Sequence, residues 1–273
     1  MLPQRSLVAL ILAPTALFIT YLGGIYFTIL ITAVLLLAAW ECMKLMKKIG
    51  YQPAAPVILI GVFLLPMSAG FRYQHLTPWL ISGLLLLGAG YFTLQFERSR
   101  PHPLRDFGGT LIVTLYIGWL GSYLITTRML PGGMWWMFLI FFIVWMADTG
   151  AYLIGTHFGS HQLSPRLSPH KTWEGYFGGI LVGTLAGIGF SFLPQKVGAG
   201  ISFSPWAAFL LGLILTCVIP LGDLTGSMFK RIAGVKDSGS LFPGHGGMFD
   251  RIDTLLWAMP ISHLFIQYIY PTL

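Results

Sequence analysis

The chain has 273 residues, of which 55% are hydrophobic and only 9% charged. A soluble globular protein carries roughly 25% charged residues, so this one cannot cover its surface with charge, and lipid must be the solvent for much of it. The formal net charge is +7, but the sequence has no basic run. The cations are scattered through short connecting segments, which suits membrane topology and argues against nucleic acid as a partner.

Arg5 is followed by an apolar run and then at once by another. That is the pattern of a first membrane span rather than of a cleavable signal peptide. A spanning helix needs about 20 mainly apolar residues. Nine stretches qualify: Leu7–Tyr21, Tyr26–Ala39, Pro56–Ala69, Pro78–Phe96, Phe107–Thr127, Met134–Ile154, Gly175–Leu193, Pro205–Leu221 and Thr254–Tyr270. The first three are short and would borrow flanking residues or span a thinned bilayer. The expected fold is an all-α polytopic membrane protein of a single domain, 1–273. Spans one to four fall in residues 1–106 and spans five to nine in 107–273. There is no linker, low-complexity segment or clear internal repeat, which argues against the inverted-repeat transporters. Cys42 and Cys217 lie in or beside apolar segments, far apart, and read as reduced packing residues.

Lys and Arg set the orientation. With nine spans, 13 of the 16 basic residues fall on the side of the N-terminus, and only Arg72, Arg128 and Lys196 on the other. The N-terminal side is therefore expected to be cytoplasmic and the C-terminus to lie opposite. All nine acidic residues fall in cytoplasmic loops or near cytoplasmic helix ends, so the chemistry is expected on the face where nucleotides are.

The charge is concentrated between Asp223 and Asp253. Four of the nine acidic residues, Asp223, Asp237, Asp250 and Asp253, lie in this stretch with four cations, Lys230, Arg231, Lys236 and Arg251, and six glycines. Carboxylates, cations and flexible backbone N–H groups are what metal-bound polyphosphate needs. Asp223 ends the eighth span. If the helix continues, Ser227 and Lys230 share a face with it. An intrahelical ion pair and a metal ligand beside phosphate-binding cations are both open readings. Pro243-Gly244-His245-Gly246-Gly247 is either an ordinary turn or a loop cradling phosphate. Asp250, Arg251 and Asp253 open the ninth span, where acidic residues also suit the helix dipole. Asp223 and Asp250 flank a hairpin that would bring both to one membrane depth, where carboxylates hold Mg²⁺ with phosphate oxygens.

Two further stretches point to the same face. Asp148, in Ala-Asp-Thr-Gly-Ala-Tyr, is an intramembrane carboxylate, a functional candidate unless a cytoplasmic Lys or Arg pairs with it. Ser168-Pro-His170-Lys171-Thr172-Trp-Glu174-Gly opens the seventh span. Thr172 and Glu174 suit a helix N-terminus, and Lys171 could hold a phosphate there, or the stretch is capping with positive-inside charge.

These residues resemble the bacterial-type phosphatidate cytidylyltransferases, or CDP-diacylglycerol synthases. The family's C-terminal pattern begins Ser-x-x-Lys-Arg, passes through Lys-Asp-x-Gly and Pro-Gly-His-Gly-Gly, and ends Asp-Arg-x-Asp. The chain carries it without departure from Ser227 through Lys230, Arg231, Lys236, Asp237, Gly239 and Phe242 to His245, Gly246, Gly247, Asp250, Arg251 and Asp253. The Asp148 and Ser168–Gly175 stretches also look like family features, with His170 a small departure from the usual lysine. The resemblance implies transfer of CMP from CTP to phosphatidate, releasing pyrophosphate and CDP-diacylglycerol, at the cytoplasmic boundary of the inner (plasma) membrane.

On this resemblance Asp223 and Asp250 hold Mg²⁺, with Asp253 a third candidate ligand and a second, monovalent cation a further expectation. The catalytic set is Asp223, Lys230, Arg231 and Asp250. Substrate contacts fall to Ser227, Lys236, Asp237, His245, Gly246, Gly247, Arg251, Lys171, Thr172, Ser168 and Asp148. Spans five to nine then form the catalytic part, and a homodimer suits such a fold. Two alternatives use the same features: a polyprenol or lipid kinase or sugar-phosphate transferase, and an ion-coupled transporter.

Overall fold

The computed structural model describes residues 2–241 and 246–272. Backbone N–H and C=O groups in lipid must bond within their own segment, so apolar runs become helices. A helix covers each of the nine apolar stretches. α1 is Leu2–Leu22, α2 Gly24–Lys48, α3 Ala55–Gly70 and α4 Thr77–Glu97. α5 runs from Pro103 through a π turn at Thr114–Trp119 to Arg128, and α6 is Gly133–Phe158. After a small hairpin come α7, Trp173–Ser191, and α8, Pro205–Ile232. The one-turn α9, Phe249–Ile252, precedes α10, Leu255–Leu264, which continues through a π turn to Ile269. Among the described residues, six helices are long and apolar enough to cross a membrane: those covering Gly24–Lys48, Gln74–Glu97, Pro103–Arg128, Gly133–Phe158, Trp173–Lys196 and Pro205–Ile232. The chain is thus an all-α, multi-pass membrane protein. Its outer surface agrees: on α4, Leu86 is 71% exposed and Phe96 65%, which water would penalise and lipid does not.

Two boundaries differ from the expected ones. α8 does not stop near Leu221 but carries Asp223, Ser227 and Lys230 on to Ile232. Asp250 and Asp253 do not open the last long helix. Asp250 sits in α9, and α10 starts at Leu255. The chain forms two compact units. One compact unit comprises Met1–Thr126 with Met228–Leu256, the other Thr127–Ser227 with Trp257–Leu273.

The first unit is built on α2. Leu35, Ala38, Ala39, Cys42, Met43 and Met46 form a core with Ile58 and Val62 of α3, Val113 and Ile117 of α5, and Phe249, Ile252 and Leu256. Phe249 is fully buried and meets the rings of Tyr116 and Phe229 at 6.4 and 6.1 Å between centroids. Burying such a ring contributes about 1.5–3 kcal/mol, enough to anchor the turn that carries Asp250.

In the second unit α6 and α7 lie against each other through glycines. A side chain at Gly150 would meet Val182, one at Gly179 the Ala147 carbonyl, and one at Gly183 both Ala147 and Thr216. Small residues let membrane helices approach this closely. α7 is tied to α8 by the Tyr176 hydroxyl, which donates to the Cys217 carbonyl at 3.1 Å. Before α7, β1 (Gln162–Ser164) pairs antiparallel with β2 (Ser168–Thr172). Both cysteines are free, as expected.

Candidate functional site

The expected site residues gather in two clusters, one in each unit. In the first, Lys230 extends from the last turn of α8 and its ammonium donates to Asp250 Oδ1 at 2.5 Å. The pair is buried, with side chains 12% and 6% exposed. Asp250 Oδ2 accepts three more hydrogen bonds: from the Ser238 N–H at 2.8 Å, the Ser238 hydroxyl at 2.8 Å and the Gly247 N–H at 3.0 Å. Burial pushes the Asp250 carboxyl up, but the Lys230 hydrogen bond, the Gly247 and Ser238 N–H groups and the Lys230 charge outweigh it. The carboxyl is therefore held below its ordinary value.

Gly246 explains one part of this geometry. Its φ is +78°, and a Cβ there would stand 2.5 Å from Asp250 Oδ2, so glycine answers both the backbone conformation and the carboxylate's approach. Asp237 lies beside Gly246. Asp253 is buried, and its Oδ1 accepts from the Thr254 N–H at 2.7 Å. Arg231, Lys236 and Arg251 are exposed. His245 lies outside the described residues.

The second cluster joins the hairpin to α8. Lys171 Nζ stands 2.5 Å from Asp223 Oδ2, with side chains 28% and 41% exposed. The Ser227 hydroxyl donates to Asp223 Oδ1 at 3.4 Å, as the shared helix face predicts. The intrahelical pair left open above does not form: Asp223 takes Lys171, and Lys230 takes Asp250. Asp148 on α6 lies within electrostatic reach of both Asp223 and Lys171, but the lysine's ion pair is with Asp223.

Thr172 is used as a cap. It is the N-cap of α7, and its side chain accepts from the Gly175 N–H at 3.1 Å. Glu174 meets His161 Nδ1 at 2.6 Å. Together with the Trp173 N–H bond to the His161 carbonyl at 2.9 Å, these contacts fix the hairpin and hence Lys171. Ser168 pairs with Ser164 across the strands and is half-buried.

Sequence reasoning missed Glu41. On α2 it is buried, and its Oε2 accepts from the Ser238 hydroxyl at 3.0 Å and the Phe249 N–H at 2.9 Å. The available signal was the one carboxylate of a long, largely apolar helix, costly when buried unless partnered.

Among the described residues, no group of three or more His, Cys, Asp or Glu side chains could hold a metal ion. The donor chemistry nonetheless suits Mg²⁺. Asp223 and Asp250 are hard oxygen donors, and each already holds a cation, a lysine ammonium, at 2.5 Å. Mg²⁺ is commonly held by one or two carboxylates with substrate phosphates and water.

The family model described as the cytidylyltransferase family matches residues 3–269. The chain is 34% identical to the phosphatidate cytidylyltransferase of Pseudomonas aeruginosa over 96% of its own length and 95% of the relative's. It is 32% identical to the phosphatidate cytidylyltransferase of Bacillus subtilis over 96% and 97%. With that of Synechocystis the identity is 33% over 99% and 98%.

Proposed function

The chain belongs to the cytidylyltransferase family, and on that premise we infer how its residues carry out the reaction. The enzyme transfers CMP from CTP to phosphatidate, giving CDP-diacylglycerol and pyrophosphate in phospholipid biosynthesis. A phosphatidate oxygen forms a bond to the α-phosphorus of CTP, and the bond from that phosphorus to the oxygen bridging to the β-phosphorus breaks. The attacking oxygen is already ionised, so no strong general base is required. The difficulty is electrostatic: two anions must meet, and pyrophosphate must leave. Positioned cations answer both needs.

In this reading Asp223 and Asp250 hold Mg²⁺, with Asp253 in support and a monovalent cation nearby. When bound, Mg²⁺ offsets the charge developing on the phosphates and orients them. Lys171 would leave the open pair with Asp223 to meet a phosphate oxygen, while Lys230 stays beside Asp250 and offers its remaining N–H donors to phosphate. Arg231, Lys236 and Arg251, exposed around the first cluster, draw in the nucleotide. Gly246, Gly247 and His245 belong to the phosphate-binding loop. The observation that carries this assignment is the buried 2.5 Å Lys230–Asp250 pair, set within the Lys-Arg to Asp-Arg-x-Asp motif. Nine spans in the inner membrane, with the N-terminus and site loops cytoplasmic and the C-terminus opposite, complete the proposal. A helix at each of nine apolar stretches and the one-sided distribution of Lys and Arg support it.

Purified protein in detergent, given CTP, phosphatidate and Mg²⁺, should release CDP-diacylglycerol and pyrophosphate in equal amounts, and a chelator should stop it. Release of a nucleoside diphosphate would indicate a kinase and overturn the reading. Full turnover after exhaustive chelation would remove the metal.

A further inference from the structure

We propose that Glu41 is a positioning residue for this reaction, a carboxylate on α2 that clamps the two flanks of the motif segment and thereby aims Asp250. The proposal rests on the cytidylyl-transfer reading and extends it to a helix that carries none of the motif.

Glu41 is the one acidic residue among the 25 of α2 and is buried. A buried carboxylate is costly unless it is paired or hydrogen-bonded. Among the described residues it forms no ion pair with a Lys or Arg. Instead one oxygen, Oε2, accepts from Ser238 Oγ at 3.0 Å and from the Phe249 N–H at 2.9 Å. These donors lie on either side of the glycine-rich stretch, and both lead directly to Asp250. Ser238 gives Asp250 Oδ2 its N–H and its hydroxyl at 2.8 Å each, and Phe249 is the residue before it.

The Ser238 hydroxyl has one proton and faces two carboxylates, so it can donate to only one at a time. Glu41 and Asp250 thus share one hydroxyl proton. Among the described residues, Lys230 is the one ammonium paired with either carboxylate, through Asp250.

The glycines give an independent second observation. A Cβ at Gly247 would collide with Glu41 Oε2, and a Cβ at Gly239 with Glu41 Oε1. Two glycines of the motif therefore admit the glutamate as well as any phosphate. Groups that hold a metal ligand through a hydrogen bond typically change metal affinity or activity by about 10–100-fold when removed.

The test uses full-length protein in detergent and the variants Glu41→Ala and Glu41→Gln. Four quantities are measured: kcat, KM for CTP, the Mg²⁺ concentration giving half-maximal rate, and hydrogen exchange of peptides covering Phe249–Ile252. For Glu41→Ala we expect kcat to fall about 10–100-fold, with KM for CTP less affected. The Mg²⁺ requirement should rise, and exchange should speed up at Phe249–Ile252 but not in α3 or α4. Glu41→Gln keeps an acceptor oxygen and should restore most of the protection and of kcat. Unchanged kcat and Mg²⁺ requirement in Glu41→Ala would overturn the proposal. So would exchange that rises equally throughout the first unit, with Gln no better than Ala, since that pattern marks a purely structural residue. Should Glu41→Ala fail to fold, Glu41→Gln decides: a raised Mg²⁺ requirement in a stable protein supports the clamp, and wild-type values refute it. If the wild-type protein made no CDP-diacylglycerol, the reaction reading would fall by itself, and the exchange measurement would still score Glu41.

Discussion

Among the described residues, two lysine–aspartate pairs share the same 2.5 Å separation in very different surroundings. Lys230–Asp250 is nearly out of reach of solvent, and three further donors hold Asp250. Lys171–Asp223 is open, with Asp223 41% exposed and a single long bond from Ser227. Equal distances therefore conceal unequal energies. Exposed pairs contribute about 0–1 kcal/mol, whereas removing one partner of a buried pair costs about 3–5 kcal/mol, because the other charge is left alone. The buried pair suits a preorganised part of the site. The open pair suits a part that can exchange a lysine for a metal or a phosphate at little cost.

The contrast can be broken most forcefully at Asp250. Asp250→Ala should reduce turnover on the order of a thousandfold, the scale seen when one preorganised electrostatic group is lost. It should also lower stability by about 3–5 kcal/mol, read as a fall in melting temperature in detergent. Asp223→Ala should be comparably inactive in the same assay but change stability by no more than about 1 kcal/mol. Equal melting shifts for the two variants would erase the distinction between the pairs.

Acid sharpens the contrast further. The folded Asp250 carboxyl is held below its ordinary value, so its contribution to stability is fully present above the ordinary carboxylate range, near about 4. It is lost as pH falls through the depressed value. Melting temperature against pH should therefore show an acid-side decline in the wild-type protein that is reduced in Asp250→Asn. The smallest effect belongs to the cap of α7, the residue after Lys171 of the open pair. Thr172→Ala should cost about 1 kcal/mol, and Thr172→Ser should recover it. Activity should drop only as far as Lys171 loosens, which a modest rise in KM would reveal.

The parts of this arrangement readable in the sequence are those that depend on local pattern. Apolar runs announced the helices, because lipid forces each run to satisfy its own backbone. The motif announced Asp250, Lys230 and the glycines, because they are close together in the chain. The Ser227–Asp223 contact followed from a four-residue spacing on one helix. Contacts that join remote segments were not legible. Glu41 meets Ser238 across 197 positions and Phe249 across 208, and no local periodicity reports such a pairing. Lys171 and Asp223 meet only because glycine contacts bring α6 against α7 and Tyr176 ties α7 to α8. The hairpin was missed for a simpler reason: strands of three and five residues containing Pro and His show no alternation to detect. The short helix at Asp250 was merged with the last span because Asp253 and Thr254 interrupt the helix without a Pro or Gly to mark the break.

The central claim is that the CMP unit, and not a terminal phosphate, moves to the lipid under the control of the buried pair. It is tested most directly with CTP labelled separately at its α- and γ-phosphates, phosphatidate and Mg²⁺, using purified wild-type protein and Asp250→Ala. The account predicts α-label in the lipid product and γ-label in pyrophosphate for the wild-type protein, with neither transfer in a folded Asp250→Ala. Appearance of γ-label in lipid, or undiminished α-label transfer by Asp250→Ala, would contradict it.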